Sequence, residues 1–360
     1  MAIKIKSLKI RNFRCIGELD LDFTDPDGNP LDLVVLAGPN GCGKTSVLEV
    51  IKILLDWGES EDYAEQINDK ELFDEAEPFS PARQADVRQG AKQYQLIFEM
   101  NDDDHTGRIE INGPHCDPDA PGFPYNAQHN QVLPNGDWGD RIMRVPFGYF
   151  SSRRRQKLVP SLPISDNGRD KEVKAEETNR LFALQRKCTS LWVHTFFDSP
   201  EPASHPRVRA IIDPLERIWE IFYPGTEARF IVRPVDKNDP GKDVNLYLRR
   251  EDGAEIPVND LSSGEIEVLA MAGWFTMHDY KGGIVLIDEP ELHMHEEWHC
   301  AIMRALRVLL PETQIIVATH SRDIIDSVMS YEQFWLLHEG DPRLGPNDKP
   351  VIRDRPEQDA

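Results

Sequence analysis

Apolar and polar residues alternate through IKIKSLKI at 3–10 and through LDLDF at 19–23, the period-two pattern of strands with one buried face. The run Asp25-Pro26-Asp27-Gly28-Asn29-Pro30 is a turn signal. The apolar run LDLVVLAG at 31–38 reads as a buried strand of a mostly parallel sheet. From Gly43 to Asp56 the residues Val47, Leu48, Ile51, Leu54 and Leu55 share one face of a predicted helix. Further strands are predicted at 93–100, 107–112, 141–150, 227–233 and 243–250, and helices at 170–197 and 206–222. Residues 113–140, rich in Pro, Gly, Asn and Asp, read as a long loop. The last third alternates closely: helix 263–278, strand 283–288, helix 292–310, strand 314–319, helix 322–329 and strand 333–337. This βαβ rhythm predicts a layered α/β domain. Beyond Glu339 the chain is polar and Pro-rich, the pattern of a frayed tail. Neither an internal repeat nor a sustained heptad pattern is present.

Composition narrows the class. The chain has 360 residues, 39% of them hydrophobic, enough for a sizeable core and against global disorder. Its formal net charge is −22, with 41 Lys and Arg against 63 Asp and Glu. Such a balance does not advertise a nucleic-acid partner, although a local basic groove on an acidic body remains compatible with one. Residues 56–77 concentrate Asp and Glu around a single Lys, a solvated acidic face or loop. Five scattered cysteines without C-x-x-C spacing fit free thiols in a reducing compartment. The first residues lack the apolar core of a signal peptide, and no run approaches a membrane span. A cytoplasmic protein without a membrane partner is expected.

Four elements carry chemistry. Gly38-Pro39-Asn40-Gly41-Cys42-Gly43-Lys44-Thr45 matches G-x-x-x-x-G-K-[ST] between a predicted strand and a predicted helix, the context its mechanism requires. Glycines let backbone N–H groups face phosphates, and the helix start adds positive potential. Asn40, Gly41, Cys42, Gly43, Lys44, Thr45 and Ser46 are the candidate phosphate contacts. Lys44 bridges the β- and γ-phosphates, and Thr45 ligates Mg²⁺. The strand ending in Asp288 and Glu289 presents two carboxylates where open α/β sheets bind ligands. Asp288 holds Mg²⁺ directly or through water, and Glu289 is placed to deprotonate the attacking water. Leu261-Ser262-Ser263-Gly264-Glu265 precedes a helix and offers hydroxyls and N–H groups to an anion, although alone it reads as an ordinary N-cap. His320 follows Thr319 at the next strand end, in reach of a γ-phosphate oxygen and the attacking water.

Taken in chain order, the four elements resemble the Walker A loop, signature motif, Walker B strand and switch histidine of ABC-type ATPases. LSSGE stands where LSGGQ is usual, so Ser263 replaces a glycine and Glu265 the glutamine. The opening IKSLKIRNFRCIGELDLDF and the segment Asp288-Glu289-Pro290-Glu291-Leu292-His293-Met294-His295 are similar to the RecF/SMC and OLD-type subgroup. The resemblance implies an α/β P-loop NTPase fold like the ABC-ATPase head, a mixed sheet with flanking helices. A composite core of 1–57 and 260–338 would carry an inserted α+β lobe at 58–259 and a polar tail at 339–360. It implies ATP and Mg²⁺ as ligands, and a head-to-tail dimer sandwiching two ATP molecules, in which Ser262, Ser263 and Gly264 meet the partner's γ-phosphate. Lys44, Glu289 and His320 are then the catalytic set. By analogy Asn12, Phe13 and Arg14 lie near the base or ribose. Either Gln93 or Gln95 serves as the glutamine-loop residue, and Phe150-Ser151-Ser152-Arg153 is similar to a Tyr/Phe-x-x-x-Arg segment of such proteins.

Two further patterns compete. His295-Glu296-Glu297-Trp298-His299 matches the zinc-protease motif H-E-x-x-H, but it directly follows the Walker B carboxylates, where the D-loop belongs. The basic run Arg153-Arg154-Arg155 with Lys157 reads as a solvated loop or as a contact for nucleic-acid phosphates or an acidic partner face. Three functional classes fit: an antiphage-defence ATPase with a separate effector such as a nuclease, a RecF-like repair ATPase, and a regulatory scaffold ATPase. The first is preferred. The chain ends soon after the last core strand, without room for a fused Toprim nuclease, and its acidic charge suits a basic partner.

Overall fold

The computed structural model describes residues 2–66, 87–102, 106–113, 145–152, 162–163, 180–196, 202–236, 243–344 and 351–353. Two compact units are present. One comprises Met1–Ser151, Tyr280–Pro290 and Glu312–Ala360; the other comprises Ser152–Asp279 and Glu291–Pro311. These units divide the chain elsewhere than at the expected boundaries 57 and 260. The strands at 94–113 and 147–150 fall in the first unit, and the helix after the signature falls in the second.

Along the chain the first unit opens with β1 (Lys4–Phe13), β2 (Ile16–Asp22), β3 (Leu33–Ala37), helix α1 (Lys44–Gln66), β4 (Tyr94–Asn101), β5 (Thr106–Gly113) and β6 (Phe147–Phe150). The second unit follows with β7 (Leu162–Pro163), α2 (Arg180–Phe196), α3 (Pro206–Phe222), β8 (Arg229–Pro234), β9 (Asp243–Arg249), β10 (Glu255–Pro257) and α4 (Ser263–Met277). The first unit then regains β11 (Ile284–Asp288), the second takes α5 (His299–Leu309), and the first closes with β12 (Gln314–Ala318), α6 (Arg322–Asp326), β13 (Gln333–Leu336) and β14 (Val351–Arg353).

The first unit contains two sheets. One is antiparallel, in the order β2-β1-β4-β5. Its burial alternates, with Tyr94, Leu96, Phe98 and Met100 of β4 buried and the residues between them half-buried, following the period-two pattern of the sequence. The other runs β14-β13-β3-β12-β11-β6, parallel throughout except for antiparallel β14. Its central strands β3, β11 and β12 are buried at every position, as expected of parallel strands covered on both faces. Gln314 joins the two sheets. Its side chain accepts from Ile5 N–H at 2.7 Å and donates to the carbonyls of Ile5 and Leu31 at 2.9 and 3.0 Å. Phe23 meets Phe334 edge to face at 5.3 Å, and Val47, Leu48, Ile51 and Leu54 of α1 are buried in the same core.

In the second unit β9 is central. β8 lies along it, and β10 and β7 pair with its two ends, all antiparallel. Helices α2 and α3 pack on α4. Gly273 permits close approach, because a Cβ there would lie 2.6 Å from Leu184.

Several expectations shift. Helix α1 runs ten residues past Asp56 into the acidic stretch, where Glu, Ala and Gln favour helix. The predicted helix 292–310 is broken. His293 takes a left-handed φ of 68°, a short 3₁₀ turn occupies Glu296–Trp298, and α5 begins only at His299. The tail is not wholly frayed, because Val351–Arg353 pairs with β13 and covers a sheet edge. The three-residue β10 is too short to show periodicity. Residues 113–140 lie, after Gly113, outside the described residues, as do 170–179, 141–144 and the basic run 153–157.

Candidate phosphate-binding site

Strand β3 delivers the chain to Gly38, whose φ is 135°. A Cβ there would lie 2.1 Å from the Leu336 carbonyl oxygen, so backbone packing as well as torsion demands glycine. Gly41 and Gly43, at φ 79° and 107°, complete the curl into α1. The first bond of the helix joins Val47 N–H to Gly43 O at 2.9 Å. The amides ahead of it therefore stand at the positive end of a helix.

Lys44 is 6% exposed. Its amine donates to Gly38 O at 2.8 Å and Pro39 O at 3.0 Å, and lies 3.4 Å from His320 Nδ1. With the ammonium donating, Nδ1 is the acceptor and Nε2 carries the proton. That Nε2 faces Glu289 Oε1 at 3.9 Å. Burial pushes the Cys42 thiol up, opposed by Lys44. Thr45 Oγ1 donates to both carboxylate oxygens of Asp288, at 3.2 and 3.1 Å. Asp288 is buried at the end of β11. Glu289, next in the chain, is left-handed at φ 51°, and its N–H donates to Ala318 O at 2.8 Å. This convergence follows from topology. β3, β12 and β11 are adjacent and parallel, with Leu36, Ala318 and Asp288 at one level, so their carboxyl ends open onto one place.

Lys44, Thr45, Asp288, Glu289 and His320 are thus gathered within one unit, with Asn40 and Gly41 exposed on the loop and Ser46 half-buried. The hard oxygen donors of Thr45 and Asp288 suit Mg²⁺, and a buried cation beside a glycine-rich helix start suits polyphosphate. Ser262, Ser263 and Gly264 belong to the other unit. Ser262 caps α4 in a reciprocal box: its Oγ accepts from Glu265 N–H at 3.4 Å, and its own N–H donates to Glu265 Oε2 at 2.8 Å. Ser262 and Ser263 are exposed.

Other residues expected near the nucleotide have partners of their own within the protein. Phe13 is fully buried against Tyr94, edge to face at 5.3 Å, and Arg14 is ion-paired with Glu49 of α1. The core thus claims Phe13. Gln95 donates to Glu110 at 2.6 Å within its own sheet. His295 caps the 3₁₀ turn through Glu297 N–H at 3.4 Å, so it and His299 do not share the helical face that a zinc motif needs. Sequence reasoning missed His338, whose Nε2 lies 3.2 Å from Asn40 O. With Cys15, Ile16, Gly17, Gly41 and Cys42 it lines a small pocket beside the phosphate loop. No motif marks it, because it lies just beyond the last predicted strand.

A family profile described as "AAA domain, putative AbiEii toxin, Type IV TA system" matches residues 33–326, well over half of the chain. The chain belongs to this family. Its AAA domain begins with β3 and ends with α6. Among its relatives, the retron Vc95 probable ATPase of Vibrio cholerae serotype O1 biovar El Tor is 33% identical over 116 residues, 28% of this chain and 22% of that protein. The Septu protein PtuA of Bacillus mycoides (strain KBAB4) is 23% identical over 337 residues, 89% of this chain and 39% of that protein. The matches therefore span well under half the length of these curated relatives. A solved Smc head, bound to the C-winged helix domain of ScpA, superposes with a TM-score of 0.51 over 99% of both chains at 14% identity. The fold is that of the Smc head domains. Among the described residues no helix is long and apolar enough to cross a membrane.

Proposed function

We propose that this AAA-family chain binds and hydrolyses ATP with Mg²⁺, as a cytoplasmic, nucleotide-sandwiched dimer that serves as the ATPase and sensor component of an antiphage-defence complex. One observation carries the reading: His320 stands between Lys44 and Glu289 while Thr45 engages Asp288. Asn40, Gly41, Cys42, Gly43 and Ser46 supply loop and helix-start groups to the phosphates. Lys44 leaves the carbonyls of Gly38 and Pro39 for the β- and γ-phosphates. Thr45 and Asp288 hold Mg²⁺, which when bound neutralises phosphate charge. Glu289 orients the attacking water and takes its proton. His320 Nε2–H is aimed to keep that carboxylate in place and to contact the γ-phosphate.

Ser262, Ser263 and Gly264 act on the γ-phosphate of the partner protomer in a head-to-tail dimer, completing a shell of charge-stabilising donors. The names of the relatives, a retron ATPase and a Septu protein, support the defence role. A separate effector protein such as a nuclease is the expected partner, and contact with nucleic acid is compatible with it. The test is steady-state ATP turnover against protein concentration, with and without Mg²⁺. Turnover per chain rises with concentration, Lys44→Ala abolishes nucleotide binding, and Ser262→Arg abolishes turnover while sparing binding. Wild-type turnover by Lys44→Ala removes the phosphate-loop assignment. Lost binding in Ser262→Arg removes the action in trans.

A further inference from the structure

The signature segment departs from its usual form at Glu265, and the structure shows what holds this carboxylate. Glu265 is 8% exposed at the third position of α4. Its Oε2 accepts from Ser262 N–H at 2.8 Å, and its Oε1 accepts from the hydroxyl of Tyr223 at 2.8 Å. Both oxygens are therefore engaged, one by the serine expected to meet phosphate and one by a residue about forty positions earlier at the end of α3. Burial, and then the adjoining carboxylate, push the Tyr223 hydroxyl above the usual phenol range, so it remains a donor at any working pH.

Tyr223 is itself fixed. Its ring stacks on Trp219 at 5.0 Å and meets Trp298 edge to face at 5.2 Å, and Phe222 also meets Trp298 at 5.5 Å. Trp298 in turn lies against Gly264. A Cβ on Gly264 would come within 3.2 Å of its ring and 2.9 Å of His293 O. The end of α3, the turn at 293–298 and the start of α4 thus form one packed junction within the second unit.

We propose that Tyr223 is a positioning residue for the signature segment, setting Ser262 and Gly264 for the partner's γ-phosphate through its hydrogen bond to Glu265. This rests on the reading that Ser262 acts in trans. Loss of the hydroxyl leaves Glu265 buried with one donor fewer. The carboxylate then pulls away toward solvent, and the backbone of Ser262 loses its fixed partner. The aromatic junction keeps α3 and α4 packed, so the change falls on the orientation of the exposed edge and not on the fold.

The experiment compares Tyr223→Phe, Glu265→Ala and Glu265→Gln with wild type. ATP affinity of the chain is read with a non-hydrolysable analogue at protein concentrations too low for dimerisation. Turnover is read across protein concentration at saturating ATP. Tyr223→Phe and Glu265→Ala are expected to bind the analogue as wild type does and to lose about tenfold in turnover, the worth of one hydrogen bond to a charged group. Glu265→Gln retains both contacts, its oxygen accepting from Ser262 and its amide donating to the tyrosine oxygen, and is expected to turn over nearly as wild type. A merely structural role would not separate turnover from binding. Wild-type turnover in Tyr223→Phe, with Ser262→Arg inactive, overturns the role of Tyr223 and leaves the trans reading intact. Wild-type turnover in Ser262→Arg overturns the trans reading itself.

Discussion

Glu289 occupies a backbone conformation that its side chain opposes. Its φ of 51° costs a residue with a Cβ roughly 1–2 kcal/mol, and the following Pro290 ordinarily confines its predecessor to extended backbone. Glycine would remove that strain but adds roughly 0.5–1 kcal/mol of unfolded-chain entropy. Glu289→Gly should therefore be more stable than Glu289→Ala by on the order of 0.5–1 kcal/mol, although both lose the same carboxylate. The pair isolates the backbone contribution, because the N–H bond to Ala318 O is available to both. Urea unfolding followed by far-UV dichroism reads the difference as a midpoint shift at equal slope, and ATP turnover is measured on the same samples. Neither variant should hydrolyse ATP. If glycine proves no more stable than alanine, the bend carries no strain. If either variant turns over normally, Glu289 is not the base. Strain of this kind persists where function requires the geometry, and its relief without activity is the expected signature.

Two further perturbations test the frame around the site. Gln314→Leu removes the side chain that bonds Ile5 and Leu31, stranding buried backbone groups; a loss of about 2–4 kcal/mol in unfolding free energy is expected, and a change below about 1 kcal/mol would show the clamp to be dispensable. Gly38→Ala places a methyl group 2.1 Å from Leu336 O, so the loop must shift; fluorescent-nucleotide titration should show at least about tenfold weaker binding, and unchanged affinity would contradict the observed packing.

Legibility followed the range of the interactions. The phosphate loop and the Asp288–Glu289 pair were readable because each is a short local pattern set beside an apolar strand, and parallel pairing of β3, β12 and β11 then brings them together. The break near His293 was not readable, since Leu292, Met294 and the residues beyond keep a helix-compatible pattern while one left-handed residue interrupts it. The burial of Phe13 was not readable, because its packing partner Tyr94 lies far along the chain. Ser262 was legible as a cap, and the capping box is present. Tyr223 and His338 left no trace, because each acts through a contact distant in sequence and typical of no motif.

The C-terminal strand bears on the glycine-rich loop through leverage. β14 flanks Phe334, Trp335 and Leu336; the Leu336 carbonyl is the floor on which Gly38 rests, and His338, two residues on, props Asn40. Peeling residues 351–353 away would take from β13 the neighbour that backs this floor, so the packing around Gly38 depends on a pairing made near the C-terminus. A segment read from sequence as an appendage thus steadies the strand on which the glycine-rich loop rests.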